Sequence, residues 1–525
     1  MSRIVSNVPS LTAQRVLSAN NASLNTSLER LSTGLRINRG KDDPAGLIAS
    51  ENLRSELAGT GAAIGNAERA DQVVNIAEGA LQELSTLLEE LQALITENAN
   101  VAALSDEERA ANQQQVDSIL RTIDRIADSA SFQGLRLLNG NLDYEVDNIS
   151  GNVDSFKINA AKLPFGQTMD VDVVVTQSAQ VGGFVLSFGN ANINLGGAGA
   201  SDGADSLFRF EVAGVEGARE LSFASGSSVA DIISAINSVT DLTGVTATAS
   251  GASGIRLESI GMGADDFVRV QVLDDGGIDA ADGVYRLTDN DTNRADIPAG
   301  ADAFNASTVT NGIEDDGQDA TVTVNGVRAT VNGTVARVNT EFLDVEIDLS
   351  TGTAGLDAEA QRAGTVTAFR ILGGGADFQL ASRVNLNGKV SLGIPQVTAR
   401  TLGRAEVFNG SGYDTFTLQD LGTGRDVNIE DGNLSSAQRV VSQAIEDVTK
   451  LRGRLGAFQA NTVSSTIRSL QIAFENTTAA ESVIRDTDFA AQTARLSQLQ
   501  ILNSSSTSSL AIANSQPQSV LQLLG

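Results

Sequence analysis

Asp289, Asp291 and Asn293 stand at the spacing that opens an EF-hand calcium loop. The pattern then fails. Arg294 occupies the place of the turn glycine, and Gly300 that of the bidentate acid, so a solvated acidic loop is expected. Histidine and cysteine are both absent. Ser-His-Asp and Cys-His catalysis are thereby excluded, as are zinc sites built on histidine or cysteine and any disulfide framework. Carboxylate pairs could still perform general acid–base chemistry, but no spacing singles one out. No catalytic residue, metal or cofactor is expected, and the chain reads as a non-enzyme. The remaining chemistry-bearing stretch is LSTGLRINRGKDDPAG, residues 31–46, with Arg36, Arg39, Lys41, Asp42, Asp43 and Pro44. Its residue types suit ion pairing. Pro44 disfavours helix at Asp43, and the glycines permit turns.

The chain that must position these groups is 525 residues long, which implies several domains. With 41% hydrophobic and 19% charged residues, most of it should fold. The formal charge of −29 disfavours nucleic acid and anionic membrane as partners. The acid is concentrated: residues 261–320 hold fourteen Asp and Glu against three arginines, whereas the first 46 residues hold six cations against three anions. No apolar run is long enough for a transmembrane helix. The first residues, MSRIVSNVPSLTAQ, lack a secretory h-region, so either retention in the cytoplasm or export without a cleaved signal is expected.

Both ends read as helix. Leu24, Leu28, Leu31 and Leu35 form one stripe of coiled-coil period. Val73, Ala77, Ala80, Leu84, Leu87, Leu91 and Leu94 form a second. Ser105 with Glu108 is a capping box that opens a third, Val116 to Ala130, with Gly134 as its expected stop. Near the other end, Ala437, Val441, Ala444, Val448, Leu451, Leu455 and Phe458 repeat the alternation. The last stripe places Phe489, Leu496, Asn503, Leu510, Pro517 and Leu524 seven apart, interleaved with Gln492, Leu499, Ser506, Ala513 and Val520. Asn503 and Ser506 make it impure.

Residues 140–430 alternate apolar and polar instead, as in DVDVVV (170–175), FVRVQV (267–272) and ATVTVNGVRATV (320–331). Asn325-Gly326 signals a hairpin, and VADIISAIN (229–237) a short helix. The fold class is multidomain α plus β: N- and C-terminal helices paired into coiled-coil or bundle domains, with mainly β outer domains inserted between them.

The terminal arms have no partner within their own segments, and short isolated helices are marginal. Pairing the two ends is the economical solution. Yet two helices of about 40 residues make a rod about 60 Å long that cannot bury all its leucines. Each leucine left wet forgoes roughly 1.5–3 kcal/mol. Self-assembly follows as an expectation.

LSTGLRINRGKDDPAGLIASENLRSE (31–56) resembles the N-terminal region of bacterial flagellin, and RDTDFAAQTARLSQLQILNSSSTSSLAIANSQPQSVLQLL (485–524) resembles its C-terminal signature. The likeness covers roughly residues 1–140 and 435–525. Phe208 to Ile260 is similar to a small module of outer flagellin and hook-associated domains, and 320–382 reads as a possible second β unit.

The resemblance implies export through the flagellar type III apparatus, polymerisation under a filament cap, and an extracellular filament serving motility. Expected partners are the chain itself, the filament cap, hook-associated junction proteins and an export chaperone. The implied division is an inner-tube helix and connector at 1–46, the outer-tube helical domain at 47–140 with a β part at 141–180, and one or two β outer domains at 181–385. A returning β segment follows at 386–434, then helical residues 435–485 and an inner-tube helix at 486–525. Leu24, Leu28, Leu31, Leu35, Leu496, Leu499, Leu510, Val520 and Leu524 would pack the inner tube. Asn503 and Ser506 would be tolerated there, wetted by a central channel. Arg36, Arg39, Lys41, Asp42, Asp43 and Pro44 would connect the layers, pairing with each other or with neighbouring subunits. Some flagellins carry LQRVRELA, recognised by animal Toll-like receptor five; here the matching residues read LEELQALI, with Glu89, Glu90, Leu91 and Gln92 at its centre. An anion in place of a cation predicts weak or absent recognition. A hook–filament junction protein is the alternative, and a secreted adhesin or surface-layer protein a more distant one.

Overall fold

The computed structural model describes residues 7–100, 102, 104–164, 166–193, 195, 207–278, 283–286, 302–349, 359–360, 364–408, 413–430 and 432–524. Of residues 286, 359–360, 364–366, 406, 408, 413 and 517–524 only the backbone is described. The helices in chain order are α1 (Val8–Thr33), α2 (Pro44–Asn98), α3 (Asp106–Ser129), α4 (Val229–Asn237), α5 (Thr240–Thr243), α6 (Ser307–Thr310), α7 (Leu434–Ala457), α8 (Ser464–Arg485) and α9 (Phe489–Leu524). A π turn, Phe458–Val463, lies between α7 and α8. The chain divides into two compact units, residues 1–70, 379–388 and 460–525, and residues 71–378 and 389–459.

The first unit is helical. Asn7 caps α1, its side chain accepting from the Ser10 amide at 3.1 Å. Gly34 ends the helix in the left-handed region at φ +74°, where its N–H satisfies the Arg30 carbonyl. α1 and α9 run antiparallel. α8 lies beside residues 44–70 of α2 and buries none of its side chains fully. Small residues permit the close approaches here: a Cβ on Gly59 would stand 2.8 Å from the Ser382 carbonyl oxygen.

In the second unit, residues 71–98 of α2 join α3 and α7 in a bundle. Arg452 of α7 donates to Glu78 at 2.8 Å, and Gln115 of α3 to Glu90 at 2.7 Å. The predicted α7 stripe is buried throughout, from Ala437 to Phe458. The α2 stripe is wider than predicted. Ala80 and Leu87 are only half-buried, whereas Leu81, Leu88 and Ile95 are completely enclosed. A helix facing two neighbours needs a broad apolar face, not a two-position seam. The Ser105–Glu108 capping box forms. Gly134 is not the stop: α3 ends at Ser129, and Gly134, at φ +86°, serves the turn between the strands Ser131–Phe132 and Leu135–Arg136.

The β region of this unit is two nested modules, and its strand pairing departs from the predicted boundary at residue 180. Among the described residues, one five-stranded sheet runs Val327–Arg328, Thr321–Val324, Met169–Gln177, Gly364–Gly374, Tyr144–Asp147. It shares a core with the sheet Thr330–Asn332, Val335–Asn339, Leu343–Leu349, Val153–Ala161. Residues 141–180 therefore pair with 320–374, and 320–382 is not a separate unit. Period-two burial drives this: Val171, Val173 and Val175 of one strand face Val322, Val345 and Phe369 in the shared core. The second module is inserted between them, with α4 and the predicted helix in register at 229–237 and a core rich in Phe184, Phe188, Phe208, Phe210 and Phe304. Asn325 and Gly326, at φ +47° and +78°, form the predicted hairpin turn.

α7 meets the first β module at a buried polar cluster. Arg454 donates to the Gly393 carbonyl at 2.7 Å. Burial lowers the Arg454 pKa, raises that of Asp143 and pushes Tyr144 up to about 12. The Tyr144 hydroxyl accepts the Ala161 amide at 2.7 Å.

Candidate functional site

Within the first unit, the predicted connector is a tightly bonded clasp. Past Gly34 the chain runs antiparallel to residues 484–487. Leu35 and Asp486 form a bridge, the Arg36 amide donates to the Arg485 carbonyl at 2.7 Å, and the Thr487 amide donates to the Gly34 carbonyl at 2.8 Å. The Arg36 guanidinium adds Nε and Nη2 donors to the Ile484 carbonyl, the first at 3.1 Å. Ile37 is buried beneath.

The charges are used differently from expectation. Arg39 pairs with Glu29 at 2.9 Å. Asp42 accepts the amides of Arg39 at 2.9 Å and Asn38 at 3.2 Å. The Arg39 amide, followed by that of Asn38, holds the Asp42 carboxyl below the ordinary aspartate range despite some desolvation. Asp43 accepts the Gly46 amide at 2.9 Å and so caps α2. Pro44 then opens the helix, where a missing N–H costs nothing. Glycine at 46 leaves room for this cap: a Cβ there would crowd the Asp43 carboxylate and stand 2.7 Å from Ile37 Cδ1, so one of those side chains would have to shift. Lys41 is exposed and makes no hydrogen bond or ion pair among the described residues. Neither aspartate pairs with a cation of the stretch. Short acids in a turn find amides first.

The α1–α9 seam is more polar than the leucine stripe implies. Leu24, Leu31, Leu35, Leu496 and Leu510 are half-buried, Leu499 is buried, and Leu28 is 45% exposed. The side chains of Val520 and Leu524 lie outside the described residues. The buried seam positions are Ser10, Ser27, Leu499, Ser506 and Ala513. Hydrogen bonds cross it throughout. Ser10 donates to Asn514 at 2.6 Å, Asn20 to Ser506 at 2.7 Å, and Asn7 to the Ala513 carbonyl at 2.9 Å. Gln492 donates to Ser27, and Asn503 to Asn21. Asn503 and Ser506 are thus cross-helix partners. The periodicity missed Asn7, Ser10, Asn20, Asn21, Ser27 and Asn514. The impurity of the last stripe was the signal.

Large apolar side chains lie outside the seam. Val8 is 59% exposed, Leu11 61%, Ile501 70% and Ile512 65%.

Elsewhere, in the second unit, Glu89 and Glu90 are exposed, Gln92 is half-buried and Leu91 is wholly enclosed. The calcium-like residues Asp289, Asp291, Asn293, Arg294 and Gly300 lie outside the described residues. Among the described residues no group of three acids is placed to hold a metal, and no helix is long and apolar enough to cross a membrane.

Family models match at three places: the bacterial flagellin N-terminal helical region over residues 4–143, the bacterial flagellin C-terminal helical region over 439–524, and the flagellin hook IN motif over 208–261. B-type flagellin of Pseudomonas aeruginosa is 28% identical across 99% of this chain and 98% of its own length. The chain belongs to the bacterial flagellin family. Flagellin A of Vibrio cholerae serotype O1 is 27% identical, again across 99% of this chain and 98% of that protein. FliC from Burkholderia pseudomallei is 13% identical over 74% of this chain and 98% of that one, with a TM-score of 0.22. As a flagellin, the chain is a structural subunit of the extracellular flagellar filament.

Proposed function

We propose that this chain self-assembles through its terminal arms into the helical filament used for swimming. The supporting observation is the distribution of side chains on the α1–α9 pair: hydrogen-bonded polar groups within, and Val8, Leu11, Ile501 and Ile512 without. Such a pair leaves its hydrophobic stabilisation to be made with other copies. In this reading residues 1–46 and 486–525 form the inner tube, 47–140 and 435–485 the outer tube, and the β modules the surface. The clasp from Gly34 to Asp43 joins inner and outer helices. The filament cap, hook-associated junction proteins and an export chaperone are its further partners.

Deleting residues 486–525 should abolish polymerisation, read by sedimentation and negative-stain microscopy. Far-UV circular dichroism should show more helix in assembled than in monomeric material. Equal helicity in both would sink the proposal. Toll-like receptor five should respond weakly or not at all, because Glu90 is an exposed anion and Leu91 is unavailable at the surface. Strong signalling in reporter cells would refute that part.

A further inference from the structure

We propose that the polar bonds across the α1–α9 seam determine the register of the terminal helix pair. The inference rests on the self-assembly reading and concerns how the paired arms find a single alignment.

The apolar pattern alone does not choose one. Leu496 and Leu510 are two heptads apart, and Leu499 and Ala513 likewise. Sliding α9 by seven residues would still place heptad positions on heptad positions, keeping Leu496, Leu499, Leu510 and Ala513 on the face toward α1. The same slide ruins the polar contacts. Asn20, which now meets Ser506, would face Leu499 or Ala513. Asn21, which meets Asn503, would face Leu496 or Leu510. Ser27, almost fully buried against Gln492, would face Leu499 on sliding one way. Ser27, Ser506 and the half-buried Asn20 would then sit against hydrocarbon without their partners, a penalty that the correct alignment avoids, while the exposed Asn21 would lose its bond to Asn503. The bonds at Asn7 and Ser10 hold the far end of the same alignment.

These residues act by excluding wrong alignments, a role that polar groups in helix seams serve at the expense of stability. Asn503 and Ser506, which break the last stripe, lie in the one heptad that differs from its neighbours.

The chain has no cysteine, so introduced pairs report alignment on a clean background. One reporter carries Ser10→Cys with Asn514→Cys, the aligned pair. The other carries Ser10→Cys with Thr507→Cys, the pair joined after a one-heptad slide. Mild oxidation of the full-length chain, followed by non-reducing electrophoresis and mass spectrometry of the intrachain product, measures each. With the remaining seam intact, only the first reporter should close. With Asn20→Leu, Asn21→Leu, Asn503→Leu and Ser506→Leu added, the second should close to a comparable extent. Closure of the first reporter alone in that background would overturn the proposal. If the leucine variant does not fold, the exchange Asn20→Ser with Ser506→Asn decides: it conserves the bond and should keep the aligned product alone, and a mixture of products would count against the proposal. Filament yield of the unmodified chain is scored separately. Its failure would remove the self-assembly reading, whereas the crosslink pattern within single chains would still report register.

Discussion

At the scale of single residues, neighbouring charges in the connector have unequal work. Asp42 accepts two turn amides, while the adjacent Lys41 points into solvent. Charge reversal should therefore separate them. Asp42→Lys loses the carboxylate oxygen that accepts both amides and should change filament shape or prevent assembly, visible by electron microscopy. Lys41→Glu should leave filaments nearly normal; equal damage from both would show that net charge, not hydrogen bonding, governs the loop. Composition singled out this stretch, but not its partners. Arg36 bonds a carbonyl almost 450 positions away in sequence, and no local pattern encodes such a contact.

Among elements, the helices were the most legible. The capping box at Ser105, the α7 stripe and the short helix at 229–237 are local signals, and local propensity and tertiary packing agree there. Widths of apolar faces were not legible, since they depend on how many neighbours a helix meets. Leu88, outside the predicted stripe, is wholly enclosed. Leu88→Ala should destabilise the helical bundle by about 2–5 kcal/mol, whereas Glu89→Ala beside it should be nearly silent. Hydrogen exchange of α2 amides measures both. Gly34 ends α1 with positive φ, so Gly34→Ala should cost roughly 1–2 kcal/mol of local stability. Fraying of the last turn of α1 would register it.

For the whole molecule, acid should act in opposite senses at different places. Burial raises the pKa of Asp143, and also that of Asp348 against the partial relief of the Thr334 hydroxyl. Each folded-state pKa then lies above its unfolded value, so unfolding releases a proton in that window. Stability of the second unit should rise as pH falls from neutral through the raised pKa values, levelling near the ordinary aspartate value of 3.8. Asp42 has the reverse sign: its contribution is complete above 3.8 and is lost as pH falls through its lowered pKa. Asp143→Asn with Asp348→Asn should raise the melting temperature at neutral pH and flatten its acid dependence. An unchanged slope in scanning calorimetry would contradict this assignment.

Composition, period and the two terminal signatures were sufficient for the helical ends, the β insert, the absence of His- and Cys-based chemistry and the flagellin resemblance, because each is written in neighbouring residues. Tertiary structure alone decided that residues 141–180 pair with 320–374, that Asp42 and Asp43 serve backbone amides, and that the terminal seam is joined by asparagine, serine and glutamine. A heptad records which side chains share a face. It does not record which partner faces them, or whether a polar interruption is an imperfection or one half of a hydrogen bond closed by a residue nearly 500 positions away.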